Sequence, residues 1–270
     1  MVSTVWNTDV KQKDADHAVV VAVASHAVFE CGAEDLHSTE PYGRGVAFPL
    51  IQAIQKVNDS LLEENPAEAL LFDVILLTSH GPDHHSRIIA STKHYGLDVG
   101  RFCLCSEEDF IESLLSNQVK LFLSTDTHDA SKASHRGVAS ALLYRQTASH
   151  PSEQLRVLFS GDALDPPGAG RPGLSQEPQA SIQQVASLLG EMRRRFSLSG
   201  SPLSLSLVTV QGCRETCGRA LRTLRSWGVG LDEAYSLAGA PRGPILSLLK
   251  PHIVFTDGSG GSGQASVQES

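Results

Sequence analysis

In the second half of the chain, runs of aliphatic residues end in small polar clusters. Ser160-Gly161-Asp162 follows residues 155–159, Thr209 ends residues 203–209, and Thr256-Asp257 follows residues 252–255. Arg242 stands between the last two, in Gly239-Ala240-Pro241-Arg242-Gly243-Pro244. If the runs are parallel strands, their carboxyl ends share one edge, where ligands bind in α/β folds. Hydroxyls and a guanidinium suit phosphate oxygens, and carboxylates are the hard donors that magnesium takes. Taken singly, Thr209 and Thr256 serve equally well as strand ends that satisfy backbone groups, and Asp162 as a turn former.

Other clusters carry less chemistry. His80 and His84 have a helical ligand spacing, and His85 and His94 lie nearby, but Gly81 and Pro82 interrupt the spacing. We read an exposed polar cluster there. Cys213 and Cys217 share a spacing of four without the two further ligands a zinc site needs. Ser25-His26 has no orienting acid beside it. Asp126 and Asp129 read as loop and helix-cap residues. The run Gly258-Ser259-Gly260-Gly261-Ser262-Gly263 fits a dinucleotide-binding pattern, but only seven residues follow it, so a flexible tail is expected.

The elements that must position the strand-end residues follow from periodicity. Apolar runs at 18–24, 72–78, 119–124, 155–159, 203–209 and 252–255 read as buried strands. Between them, helices are expected over 46–62, from Pro82 onward, over 182–196 and through Ala220, Leu221 and Leu224. Alternation of this kind marks an α/β fold with a mainly parallel sheet. The two halves also resemble each other. Phe72 to Ser79 with Tyr95-Gly96-Leu97-Asp98 parallels Leu203 to Val210 with Trp227-Gly228-Val229-Gly230-Leu231-Asp232, and Leu121 to Asp126 parallels Ile253 to Asp257. The reading is an internal duplication, with two unrelated stretches of common βα pattern as the alternative. The expected division is a tail at 1–16, an α/β unit at 17–147, a second at 148–257 and a Gly/Ser tail at 258–270.

Composition narrows the function class. Thirty Asp and Glu against 22 Lys and Arg leave a net charge of −8, which repels nucleic acid and anionic membranes at long range. Five cysteines without a C-x-x-C pair point away from a disulfide framework and toward the cytosol. No leader-like pattern opens the chain, and no apolar run approaches a membrane span.

Several ordered blocks together resemble the cytosolic type I 5′-nucleotidases of the haloacid dehalogenase superfamily. They are Phe159-x-Gly161-Asp162-Ala163, Leu207-Val208-Thr209, Gly239-Ala240-Pro241-x-Gly243-Pro244 and Pro251-His252-Ile253-x-Phe255-x-Asp257. The first half agrees through Ala47-Phe48-Pro49, Val57-Asn58, Phe72-Asp73-Val74 and Arg101-Phe102-Cys103, and Leu221-Arg222-Thr223-Leu224-Arg225-Ser226-Trp227-Gly228 is also similar. The resemblance implies two related Rossmann-like units, the second haloacid dehalogenase-like. It implies hydrolysis of a purine nucleoside 5′-monophosphate, AMP or IMP, with Mg²⁺ as cofactor, a nucleotide effector and homo-oligomeric assembly. In that chemistry an aspartate attacks phosphorus, a second aspartate two positions on serves as general acid and base, and a hydroxyl and a lysine hold the phosphoryl group.

Carried over residue by residue, the set is incomplete. Asp162 stands at the general acid/base position, Thr209 at the phosphate-binding hydroxyl, and Asp162 and Asp257 at metal ligands. The nucleophile position holds Ser160, the lysine position Arg242, and the first terminal carboxylate position Thr256. The loop after Asp162 is shortened and rich in Pro and Gly. Arg242 keeps the charge with a different geometry. A serine needs an activating base or metal, and losing two carboxylates weakens magnesium binding. The expectation is nucleotide binding with weak or absent turnover; the alternatives are an active nucleotidase and a non-catalytic regulatory or structural subunit.

Overall fold

The structure is a computed structural model of the 270-residue chain and describes residues 3–14, 16–31, 40–78, 82–106, 108–144, 154–164, 177–197, 200–210 and 214–256. The first half contributes β1 (Ser3–Trp6), β2 (Val19–Ala24), α1 (Ser25–Val28), β3 (Phe29–Glu30), β4 (Gly43–Arg44), α2 (Phe48–Glu64) and β5 (Phe72–Thr78). It continues through α3 (Pro82–His94), β6 (Val99–Leu104), α4 (Phe110–Ser116), β7 (Leu121–Ser124), α5 (Thr127–His135) and β8 (Ala139–Leu143). The second half holds β9 (Leu155–Ser160), a 3₁₀ turn (Gly161–Leu164), α6 (Glu177–Arg194), β10 (Leu203–Thr209), α7 (Arg214–Ser226), β11 (Glu233–Ser236), α8 (Gly243–Leu249) and β12 (Ile253–Phe255).

The fold is α/β, as the alternation predicts, and both halves share one ten-stranded sheet in the order β1-β6-β5-β2-β7-β8-β12-β9-β10-β11. Strands β2, β5, β6, β7 and β8 run parallel, as do β9 to β12. The halves meet where β8 pairs antiparallel with β12, Leu143 opposite Ile253. The carboxyl ends of the two strand sets therefore leave the sheet at opposite edges. Each half also places its strands alike, β5-β2-β7 in one and β10-β9-β12 in the other.

Strand alternation splits the core by face. One face buries Val19, Val21, Val23, Val74, Leu76, Val157, Phe159, Leu205 and Leu207 under α2, α3, α6 and α7 in a single cluster. On the other, the first half is covered by α4 and α5, whereas α8, with Tyr144, Tyr235 and Leu237, covers Leu158, Val208 and Val254. Residues 3–6, expected within a tail, form an antiparallel edge strand on β6.

Several motifs have structural reasons. Asn58 pins α2 to the start of β5, donating to Phe72 O and accepting from Phe72 N, both at 2.8 Å. Gly96 and Gly228 take left-handed φ values of 62° and 79° and end α3 and α7 in the same way. After each, the next amide bonds back into the helix, Leu97 N to Thr92 O and Val229 N to Leu224 O. Arg101 forms a buried ion pair with Asp73 at 2.6 Å.

His252, buried just before β12, accepts the Arg156 N–H at 3.1 Å. Burial, followed by the nearby Arg156 charge, pushes its pKa from 6.5 down to about 4. Between those values the unfolded chain binds more protons than the folded one, so stability is full above pH 6.5 and falls as pH drops toward 4. The loss reaches at most about 3 kcal/mol. In His252→Asn, whose amide oxygen still accepts the N–H, the urea midpoint is expected to fall less over that window. An unchanged slope would remove His252 from this account.

Candidate functional site

The carboxyl edge of the second half gathers the strand-end residues. Ser160, the last residue of β9, is buried beside Val208 in the parallel register. Phe159 pairs with Phe255, so the half-exposed Thr256 comes next to Ser160 on the other side. After Ser160 the chain tightens into the 3₁₀ turn, which carries Asp162. This turn requires its glycine, because a Cβ on Gly161 would lie 2.7 Å from Thr209 Cγ2. Thr209 is buried, its methyl fills the space over Gly161, and its hydroxyl donates to Tyr235 O at 3.4 Å.

Arg242 reaches the site through a loop stitched to the end of β10. Leu237 N donates to Thr209 O at 2.8 Å and Gly239 N to Val210 O at 2.7 Å. Ala238 and Gly239 turn the chain with left-handed φ values of 49° and 88°. Arg242 then stands at the start of α8, where its guanidinium forms an ion pair with Asp162 Oδ2. The two side chains keep 36% and 29% of their exposure, so the pair borders solvent.

The expected residues Ser160, Asp162, Arg242 and Thr209 are thus neighbours, drawn from β9, the turn after it, the end of β10 and the start of α8. Asp257, residues 165–176, His80, Cys213 and the tail at 258–270 lie outside the described residues. His84 instead contacts Tyr42, Nδ1 to Oη at 2.5 Å, and His94 packs edge-on against Tyr95. Asp126 caps α5 by accepting the His128 N–H at 2.8 Å, as its spacing predicts. The part played by Gly161 is not legible in the sequence, because its reason is a methyl group 48 positions away.

Chemically, the arrangement brings one guanidinium, one carboxylate and two hydroxyl side chains together at a strand edge. Ser160 Oγ donates to Asp162 Oδ2 at 3.5 Å, the outer limit of a hydrogen bond. The same Asp162 oxygen is engaged by the Arg242 guanidinium, so the carboxylate contacts the cation and the serine at once. The described donors do not fit a resident magnesium ion. The carboxylate of Asp162 is engaged by a guanidinium, and Ser160 and Thr256 are neutral. Among the described residues no group of three His, Cys, Asp or Glu is placed to hold a metal.

Comparison with known proteins agrees with this architecture. A family model described as 5′-nucleotidase matches residues 11–164 and 174–268. Human cytosolic 5′-nucleotidase 1B is 33% identical over 240 residues, 79% of this chain and 39% of that protein. The chain therefore spans about two fifths of that relative's length. Among solved structures, one assigned to the short-chain dehydrogenases/reductases from Sinorhizobium meliloti 1021 aligns with TM-score 0.27 and 9% identity, over 84% of this chain and 96% of the other. Another, from Serratia marcescens BCRC 10948, gives 0.24 and 11%, over 82% and 98%. Overlaps this loose carry no argument. Because the family model follows nearly the whole chain through the same strand ends that gather Ser160, Asp162, Thr209 and Arg242, this protein belongs to the 5′-nucleotidase family.

Proposed function

We propose that this chain binds purine nucleoside 5′-monophosphates at the carboxyl edge of β9 and β10 and turns them over weakly or not at all. The observation that carries this reading is the Arg242–Asp162 pair beside Ser160. The cation that a phosphate needs is present, while the residue at the nucleophile position is a serine without an effective base. Arg242 presents two N–H groups to phosphate oxygens, and the backbone around the 3₁₀ turn adds neutral donors. A phosphate entering the site displaces the Asp162 carboxylate from the guanidinium, so affinity for the phosphate group is moderate. A cytosolic location and homo-oligomeric assembly belong to the same reading, from the name of the human relative and from the motif resemblance. No helix of the described residues is long and apolar enough to cross a membrane.

Calorimetric titration with AMP and with IMP tests it. The wild-type chain is expected to bind both, and Arg242→Ala to weaken binding about tenfold or more, the scale of a charge-assisted hydrogen-bonded contact. Absence of binding by the wild-type chain sinks the reading in favour of a purely structural or regulatory subunit.

A further inference from the structure

The antiparallel join between the halves gives the molecule a second carboxyl edge, at the opposite side of the sheet from Ser160. Strand pairing fixes which residues correspond. Ala24 pairs with Leu77 in β5, as Ser160 pairs with Val208 in β10, and both partners precede a threonine. Thr78 therefore corresponds to Thr209, Ser25 to Gly161 and His26 to Asp162. Val23 pairs with Leu123 as Phe159 pairs with Phe255, so Ser124 corresponds to Thr256. No carboxylate occupies any of these positions in the first half.

Three side chains at this edge are buried without a hydrogen-bond partner: Ser25 Oγ, Thr78 Oγ1 and His85 Nε2. They belong to one place. Ser25 follows Ala24 and so stands beside Thr78. Thr78 lies on the same face of β5 as Val74 and Leu76, the face that α3 covers through Ile88. His85, one turn before Ile88, packs edge-on against Phe102 with ring centroids 6.1 Å apart, and Phe102 is the β6 partner of Leu76. His85 thus sits one row below Thr78 on that face. The 13-residue helix α3 that carries His85 starts at Pro82, one turn before His85, so the partial positive charge of its N-terminus lies on the same side of His85 as Thr78. Each orphaned polar atom in a dry site costs about 1–3 kcal/mol, and three in one place are best explained by a ligand that satisfies them together.

We propose that this edge is a second anion-binding site, and that its ligand is a phosphate group, free or carried by a phosphomonoester. Two hydroxyls and an imidazole N–H donate to phosphate oxygens, the helix end contributes a favourable field, and the nearby Asp126 carboxylate at the end of β7 is turned to the His128 N–H as the cap of α5. The site is independent of Arg242 and of the nucleotide reading above.

Titration of the full chain with orthophosphate, and separately with AMP, tests this in the Arg242→Ala background, where the first site is weakened and a further loss on changing Thr78 or Ser25 reports the second. Binding is expected to persist in Arg242→Ala and to weaken at least tenfold when Thr78→Val or Ser25→Ala is added. Saturation by orthophosphate alone assigns a free anion; at least tenfold tighter binding of AMP assigns a phosphomonoester. In phosphate-free buffer, Thr78→Val, which replaces an unpaired hydroxyl by a methyl of the same shape, is expected to raise the melting temperature. If Arg242→Ala binds neither ligand, or binds with an affinity that Thr78→Val and Ser25→Ala leave unchanged, the proposal is overturned. A melting temperature lowered by Thr78→Val would likewise overturn it, since the hydroxyl would then have a partner such as an internal water.

Discussion

Ser160→Asp is expected to raise phosphate release from AMP about tenfold or more over wild type, with a ceiling near 10⁶, the factor lost when another hydrolase is stripped of its nucleophile. The substitution places a carboxylate where β9 ends, beside Asp162, whose Oδ2 lies 3.5 Å from the Ser160 hydroxyl. The Arg242 guanidinium that contacts Asp162 is the cation of this cluster and offsets part of the added charge. The gain stays well below the ceiling because Thr256 leaves the edge one carboxylate short and the loop after Asp162 remains brief. Ser160→Asn controls for shape, since it has the same reach without the charge or the nucleophile. Rates for AMP and IMP, measured at one saturating Mg²⁺ concentration, decide the matter. Equal rates for wild type and Ser160→Asp, or for the Asp and Asn variants, would show that Ser160 is not what limits turnover.

The second large effect is on stability. Arg101→Met is expected to cost about 3–5 kcal/mol, the usual penalty for leaving one partner of a buried ion pair alone. Asp73 and Arg101 retain 2% and 5% side-chain exposure, and Gly100 packs so closely on Asp73 that a Cβ there would lie 2.3 Å from Oδ1. The guanidinium also reaches Asn117 and lies over the Trp6 ring, its carbon 5.1 Å from the centroid, so the pair ties the edge strand β1 to the sheet. Burial already pushes the Asp73 carboxyl above its usual pKa of 3.8, with Arg101 pulling it back. Without Arg101 that pKa rises further. The folded state then binds more protons than the unfolded one above pH 3.8, so the variant loses stability as pH rises, and its deficit is larger at pH 7 than at pH 5. Urea denaturation at the two pH values reads this sign. The double variant Asp73→Leu with Arg101→Met is expected to recover much of the loss, because both charges leave together. A single variant within about 1 kcal/mol of wild type would mean the pair lies in solvent reach.

Much of the fold follows from local chemistry. The strand 203–209 was bounded by its apolar run alone, and Pro82 and Asp126 start α3 and α5 through properties of single residues, a fixed φ and a capping carboxylate. Other elements have no such signature. β1 is four residues whose partner, β6, begins almost a hundred positions later. β8 is built on Ala139-Ser140-Ala141, residues with little strand preference, and becomes a strand because β7 and β12 flank it.

The sequence by itself determined which residue types stand at the strand ends: a serine with an aspartate two positions beyond it, a threonine and an arginine, since residue identity and strand alternation are local properties. Only the tertiary structure decided how those groups are used. It places Arg242 on Asp162 across eighty positions of sequence, fits Thr209 over Gly161, and turns the two strand sets in opposite directions so that the chain has two carboxyl edges. The physical reason is that ion pairing, steric contact and sheet register depend on distance in space, which a loop tied by two backbone hydrogen bonds and one antiparallel strand pair fix here, and which spacing along the chain does not encode.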